Sequence, residues 1–164
     1  MTRIRINIKL MDFLKKYLLF IAFGQSLLAM AGSLFFSEIL KFPPCVLCWY
    51  QRIFMYPIAF ILAVGIMRKD KYVSYYVLPL AIVGFLISIF HNLLYYKILP
   101  ESAAPCILGV SCTTKQLEWA GFITIPFLSM IGFAIIITCM VMYNRYILKK
   151  STMSIKSTTS TKGR

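Results

Sequence analysis

The sequence predicts an all-α membrane protein in which four transmembrane helices form a bundle. Hydrophobic residues make up 60% of the 164 residues and charged residues only 14%, so a water-soluble fold of this size could not cover its apolar side chains. Four apolar stretches are each long enough to cross a bilayer, which takes about 20 residues per helix. The charged residues gather at the ends of these stretches. Helices are expected because lipid offers no partner for an unpaired backbone group.

The first predicted helix, residues 17–37, follows a basic segment, an arrangement that also occurs in cleaved signal peptides. Ala29-Met30-Ala31 fits the small-residue pattern of a cleavage site. The apolar run continues past this site and exceeds the roughly 7–15 residues of a signal-peptide core, so we favour an uncleaved transmembrane helix. Pro43-Pro44 follows the helix and prevents its continuation.

The remaining predicted helices span residues 49–67, 72–96 and 119–143. The second and third are joined by so short a connection that they must be antiparallel neighbours. After the fourth, residues 149–164 are rich in Ser, Thr and Lys and are predicted to form a disordered, basic cytoplasmic tail. The transmembrane domain is therefore predicted to comprise residues 1–148.

Lysine and arginine are distributed unequally between the two sides of the predicted bundle. Fourteen of the 18 lie in the N-terminal segment, in the connection between helices two and three, or after Tyr143. The positive-inside rule therefore predicts that both termini are cytoplasmic and that segments 38–48 and 97–118 face outward. This orientation explains the net charge of +13, and a nucleic-acid partner is not expected.

Four of the five cysteines fall in the two outward-facing segments. Cys45 and Cys48 form a C-x-x-C motif, whereas Cys106 and Cys112 lie in the longer second segment. The fifth, Cys139, lies within helix four and is interpreted as apolar packing. Placement on the oxidising side of the membrane leaves three interpretations open. In the first, the cysteines are redox-active. In the second, they form two structural disulfides that staple the loops, and in the third they bind zinc as an all-cysteine site.

The surroundings of the C-x-x-C motif favour redox chemistry. Cys45 lies near the start of helix two, where free backbone N–H groups and the helix dipole stabilise a thiolate. Arg52 follows Cys48 by four residues, so it places a positive charge on the same helix face. In the other pair, Gly109 lies between Cys106 and Cys112 and allows the chain to turn back, as a disulfide between them requires.

The run Cys45-Val46-Leu47-Cys48-Trp49-Tyr50-Gln51-Arg52 closely resembles the signature of the DsbB/BdbC family of membrane disulfide-bond formation proteins. Residues 116–127 resemble the start of that family's fourth helix, and the whole resemblance covers roughly residues 13–145. Only five residues separate Cys106 from Cys112, as in the short-looped BdbC branch. In the related vitamin K epoxide reductase family the loop cysteines precede the C-x-x-C motif, which is the reverse of the order here.

The resemblance implies a quinone-dependent thiol–disulfide oxidoreductase in the inner or plasma membrane of a bacterium. A thioredoxin-fold thiol oxidase outside the membrane would be re-oxidised at Cys106. Cys112 would then exchange with Cys45, and Cys48 would deliver electrons to ubiquinone or menaquinone. Arg52 matches the arginine of the family's quinone site.

Two further residues are candidates for the quinone site. His91 is an ionisable residue within predicted helix three and lies at a depth similar to that of Arg52, so we expect it to bond a quinone oxygen or relay a proton. The alternative is a histidine that only bonds a neighbouring helix. Tyr56 shares the helix face of Cys48 and Arg52, where it lines a quinone pocket or packs in the core. A non-catalytic, disulfide-stapled membrane scaffold and an extracytoplasmic metal-binding membrane protein are the alternative functions.

Overall fold

A computed structural model describes residues 2–41, 44–100 and 124–161 of the chain, and all regular structure in these ranges is helical. The helices are α1 (Thr2–Leu34), which a π-helical turn (Phe35–Ile39) extends, α2 (Val46–Arg68), α3 (Val73–Tyr95) and α4 (Ile125–Thr161). Each helix contains a stretch that is long and apolar enough to cross a membrane: Lys16–Ile39, Val46–Arg68, Val73–Tyr95 and Ile125–Leu148. The predicted class, an all-α chain with four potential transmembrane helices, is confirmed.

The four helices form a closed ring in which α1 and α3 each pack against both α2 and α4. Large apolar side chains fill the centre of the ring, and several of them are completely buried, among them Ile58, Leu62, Phe133, Ile136 and Met140. Other large apolar side chains, such as Phe60, Leu86 and Leu128, point outward and are at least half exposed. This outer surface suits lipid and would be a large exposed apolar patch in water.

Hydrogen bonds between polar side chains and neighbouring helices supplement this packing. The Ser88 hydroxyl on α3 lies 3.1 Å from the Ser129 hydroxyl on α4. Near the connection between α2 and α3, the Tyr143 hydroxyl donates to the Asp70 carbonyl oxygen at 3.1 Å. Interhelical hydrogen bonds are common in membrane bundles, where the separation of apolar surface from water no longer drives helix association.

The observed helices differ from the predicted ones mainly at their ends. α2 begins at Val46, three residues earlier than predicted, because Cys45 caps it. α4 begins at Ile125 after Thr124, whose hydroxyl accepts the Phe127 N–H, and residues 119–123 of the predicted fourth helix lie outside the described residues. α4 continues to Thr161, into the segment that the composition predicts to be disordered. No glycine or proline occurs between Gly132 and that end, so no residue there interrupts propagation of the helix.

The contact between Gly84 on α3 and Phe133 on α4 yields a stability prediction. A Cβ atom at Gly84 would clash with the Phe133 ring, which is completely buried and has no room to withdraw. We expect Gly84→Ala to be destabilising, since overpacking costs about 1–3 kcal/mol and alanine recovers at most about 1 kcal/mol of helix propensity. The dodecyl sulfate fraction at which the detergent-solubilised protein unfolds would measure the change in stability.

Gly24→Ala is the matched control, because a Cβ at Gly24 on α1 meets nothing within 4 Å. This variant should be as stable as the parent or slightly more stable. If Gly84→Ala unfolded at the same dodecyl sulfate fraction as Gly24→Ala, the close approach of α3 and α4 at Gly84 would be refuted.

Candidate functional site

The C-x-x-C motif lies at the N-terminus of α2, and its first cysteine caps the helix. Cys45 has an extended backbone (φ −70°, ψ 166°), and its sulfur accepts a hydrogen bond from the Cys48 N–H at 3.4 Å. The chain therefore enters α2 at Cys45, directly after Pro44. The Cys48 N–H that bonds the Cys45 sulfur is one of the N–H groups that the first helical turn leaves without a backbone partner.

The side chains of Cys45 and Cys48 meet one helical turn apart. Their sulfur atoms are 2.9 Å apart and are not joined in a disulfide. Cys45 is buried, with 7% of its surface exposed, whereas Cys48 is half-buried. The pair is therefore positioned to form a disulfide with little backbone movement, and Cys48 is the more accessible of the two.

His91 on α3 faces the buried cysteine. Its Nε2 atom lies 3.7 Å from the Cys45 sulfur, and its Nδ1 atom lies 3.2 Å from the side-chain nitrogen of Gln51 on α2. His91 and Gln51 are 2% and 6% exposed, respectively. As oriented, the Gln51 amide donates to Nδ1, so the ring proton resides on Nε2 and points at Cys45.

These contacts favour a thiolate at Cys45, which precedes the membrane-spanning stretch of α2. The hydrogen bond from the Cys48 thiol lowers the pKa of Cys45 most, His91 adds to this effect, and burial opposes it. The net direction is downward from the ordinary thiol value. A sulfur held in this way is stabilised as a thiolate when thiol–disulfide exchange releases it.

Arg52 fixes the start of α2 against the end of the membrane-spanning part of α1. Its guanidinium donates to the Ser33 carbonyl oxygen at 2.9 Å and lies 5.6 Å from the centre of the Trp49 ring. The Nε atom of Arg52 is buried and has no hydrogen-bond partner among the described residues. A buried donor without a partner is costly, so this nitrogen remains available to bond a ligand.

A cleft of about 300 Å³ opens beside Arg52, between the π-helical turn after α1 and the first three turns of α2. The side chains that line it are those of Leu34, Ser37, Glu38, Lys41, Pro44, Trp49, Arg52 and Tyr56. The Tyr56 hydroxyl is buried and, like Arg52 Nε, has no partner within the described part of the chain. The cleft therefore combines apolar side chains with two donors that have no partner among the described residues, a combination found in many small-molecule sites.

The structure therefore divides the predicted site residues into two groups. Cys45, Cys48 and His91 meet at the start of α2, whereas Arg52 and Tyr56 line the adjacent cleft, which His91 does not line. The sequence did not single out Gln51, which contacts His91. A polar residue in an apolar span is a signal that could have identified it.

Two of the predicted site residues lie outside the described residues, and one other cysteine does not belong to the site. Cys106 and Cys112 fall within 101–123, which the structure does not describe. Cys139 is buried on α4 within the main apolar core, as the sequence predicts for a packing residue.

Comparison with known proteins assigns a family to this arrangement. The family described as "Disulfide bond formation protein DsbB" matches residues 15–143. The chain is 49% identical over 126 residues to the "Probable disulfide formation protein C 1" of Bacillus anthracis, with 76% of this chain and 90% of the relative covered. It is also 49% identical over 122 residues to the "Disulfide bond formation protein C" of Bacillus subtilis (strain 168), with coverage of 74% and 88%. No solved structure matches significantly.

Proposed function

Because this chain belongs to the DsbB family of disulfide bond formation proteins, we propose that it is a membrane oxidoreductase that re-oxidises a thioredoxin-fold thiol oxidase outside the cell membrane and passes the electrons to quinone. The observation that carries the proposal is the contact between Cys45 and Cys48 at the start of α2, with thiolate-stabilising groups beside it. A purely structural disulfide requires neither an adjacent histidine nor a position at a helix N-terminus.

The proposed reaction transfers two electrons and two protons through two cysteine pairs. A thiolate of the reduced partner attacks the Cys106–Cys112 disulfide at Cys106 and releases Cys112. The partner's second thiol then closes the partner's disulfide and frees Cys106. Cys112 then attacks Cys45 of the Cys45–Cys48 disulfide and releases Cys48. Cys106 attacks Cys112 of the resulting mixed disulfide, which re-forms the loop disulfide and releases Cys45. The reduced Cys45–Cys48 pair then holds the two electrons and two protons for which quinone would be the acceptor.

Each residue around the C-x-x-C motif has a proposed part in this exchange. The helix N-terminus and the Cys48 N–H stabilise negative charge on Cys45. His91 holds a proton at Nε2 beside Cys45, where it can protonate or deprotonate the sulfur as the disulfide opens and closes. Gln51 is a positioning residue, since its bond to Nδ1 keeps that proton on the side of the sulfur.

The cleft beside Arg52 fits a quinone. Arg52 Nε and the Tyr56 hydroxyl are two buried donors without partners among the described residues, and a quinone carries two carbonyl acceptors. The apolar side chains of Leu34, Pro44 and Trp49 provide the wall for a ring. When bound, ubiquinone or menaquinone supplies the oxidising power as an acceptor of two electrons and two protons.

Replacing Arg52 with methionine should impair quinone use more than it impairs folding. A hydrogen bond to a charged group contributes about 1.5–3 kcal/mol, so the apparent quinone KM is expected to rise roughly tenfold or more. Tyr56→Phe removes only a neutral hydroxyl and should raise this KM by at most about tenfold. Steady-state quinone reduction at saturating reduced partner would measure both variants.

Tyr50→Phe is the control, because Tyr50 is exposed on the same helix and does not line the cleft. Its quinone KM should be that of the parent. Parent-like quinone kinetics in both Arg52→Met and Tyr56→Phe would show that the cleft does not bind quinone and that Arg52 serves only to join α1 to α2.

The proposed orientation places both termini in the cytoplasm and the cysteine pairs outside, and a matched pair of exposed lysines tests it. Lys71 and Lys97 flank opposite ends of α3, and both are exposed. In a background in which all five cysteines are serine, Lys97→Cys should react with a membrane-impermeant maleimide in intact cells. Lys71→Cys should react only after lysis. The reverse pattern would contradict the orientation, and with it the mechanism.

The overall function is tested with purified protein, a quinone and a reduced thioredoxin-fold oxidase. The quinone absorbance should fall in proportion to partner thiols lost, with one quinone consumed per disulfide formed. Thiol oxidation without quinone consumption, or no oxidation at all, would overturn the proposal.

A further inference from the structure

We propose that the reduced Cys45–Cys48 pair and His91 together form a three-ligand site for Zn²⁺, which holds the pair in its reduced state and competes with its oxidation. This site binds a thiophilic metal ion, whereas the cleft beside Arg52 is proposed to bind quinone, so the two sites take different classes of ligand. Among the described residues, these three side chains are a group whose potential ligand atoms all lie within 4.8 Å of one another.

The chemistry of the donor set points to zinc. Two cysteine sulfurs and one histidine nitrogen are ligands that Zn²⁺ favours, and a set of three protein ligands leaves the fourth tetrahedral position open to solvent. Two thiolates and one Zn²⁺ also form a site without net charge, so it can be accommodated beside Arg52 and at the membrane edge. The oxidised pair cannot bind in this way, because a disulfide offers no thiolate.

One of the three ligand distances already fits tetrahedral zinc, and the other two require movement of the Cys48 sulfur by roughly 1 Å. Zn–S and Zn–N bonds of about 2.3 and 2.0 Å place tetrahedral ligand atoms roughly 3.5–3.8 Å apart. The Cys45 sulfur and His91 Nε2 are already 3.7 Å apart. The two sulfurs are 2.9 Å apart and must separate by somewhat less than 1 Å. Rotation of the half-buried Cys48 side chain can provide this movement, since the buried Cys45 has less freedom.

Gln51 supports the histidine in the position that metal ligands require. A zinc-bound histidine usually donates its second ring N–H to an acceptor, which fixes the ring. Gln51 lies 3.2 Å from Nδ1, and a half-turn of its amide would present the oxygen in place of the nitrogen. Nδ1 can therefore accept a hydrogen bond from the buried Gln51 side chain when the pair is metal-free, and donate one to it when zinc is bound.

The test uses full-length protein in which Cys106, Cys112 and Cys139 are replaced by serine, so that the C-x-x-C pair supplies the only thiols. The protein is reduced with a phosphine, freed of reductant under anaerobic conditions, and titrated with Co²⁺ as a spectroscopic probe. We expect one Co²⁺ per chain, with the visible bands of tetrahedral coordination and sulfur-to-cobalt charge transfer. Zn²⁺ should displace the cobalt, and the same preparation in its disulfide form should bind none.

His91→Gln should weaken binding by at least about tenfold, which is the loss that even a partner outside the ligand shell causes. Tetrahedral bands of equal affinity in His91→Gln would overturn the site, as would equal binding by the disulfide form or no binding by the reduced form. Because the titration contains neither quinone nor partner, its failure is distinguishable from failure of the proposed oxidoreductase function.

Discussion

Replacing Cys45 with serine is expected to abolish quinone-coupled thiol oxidation completely while leaving the helical bundle intact. A serine oxygen cannot form the disulfide through which both electrons must pass. Serine is nevertheless a favoured N-cap residue, so it can accept the Cys48 N–H as the Cys45 sulfur does. Oxidation of the reduced partner, followed by free-thiol titration, would measure the loss.

Two comparisons make this prediction specific to the site. Cys139→Ser changes a cysteine in the apolar core of α4 and should retain oxidase activity even if it lowers stability. Cys45→Ala removes the cap as well as the sulfur and should cost roughly a further 1 kcal/mol of stability relative to Cys45→Ser. Residual oxidase turnover in Cys45→Ser would show that the loop cysteines pass electrons to quinone without this pair.

The four helices could be predicted from the sequence because hydropathy along a chain is a local property. Long apolar stretches with charges at their ends have few alternative structures in lipid. The start of α2 is predicted less exactly: residue 49 is three residues late, although the sequence does place Cys45 near the start of the helix. The position of Arg52 one turn beyond Cys48 followed from the same helical spacing.

Contacts between helices could not be predicted in the same way, because they depend on how each helix is rotated about its axis. Helical rise alone places His91 near the depth of Arg52 and so predicts that it lies at the quinone site. The structure places it against Cys45 and Gln51, and it is not among the residues that line the cleft. Its role in proton transfer therefore remains a proposal, now directed at the thiol.

The cleft itself was beyond sequence analysis for a second reason. Its floor includes Leu34, Ser37 and Glu38, where α1 passes into a π-helical turn. Such turns are rare and have weak sequence signals, but they often occur at functional sites because they redirect side chains within a helix. Helical spacing predicts that Tyr56 shares a face of α2 with Arg52, whereas it cannot predict which residues of the π-helical turn line the same cleft.

Replacing Cys112 with serine is expected to trap a covalent complex between Cys106 and the thioredoxin-fold partner. Without Cys112 the loop cannot form its own disulfide, but the Cys106 thiolate can still attack the disulfide of an oxidised partner molecule. That attack forms a mixed disulfide and releases one partner thiolate. The residue that would normally resolve the complex on this side is absent, so the adduct should accumulate and oxidase turnover should fall to background.

The reciprocal variant, Cys106→Ser, distinguishes a redox-active loop pair from a structural disulfide. Cys106→Ser removes the attacking sulfur, so it should lose turnover and form no adduct, although it lacks the same disulfide as Cys112→Ser. Non-reducing gels of both variants, acid-quenched and alkylated after co-expression with the partner, distinguish them directly. Adducts in neither variant, together with full oxidase activity in both, would identify the loop pair as a structural disulfide. The Cys45–Cys48 pair, with one half-buried sulfur beside its buried neighbour, would then have to react with the partner directly.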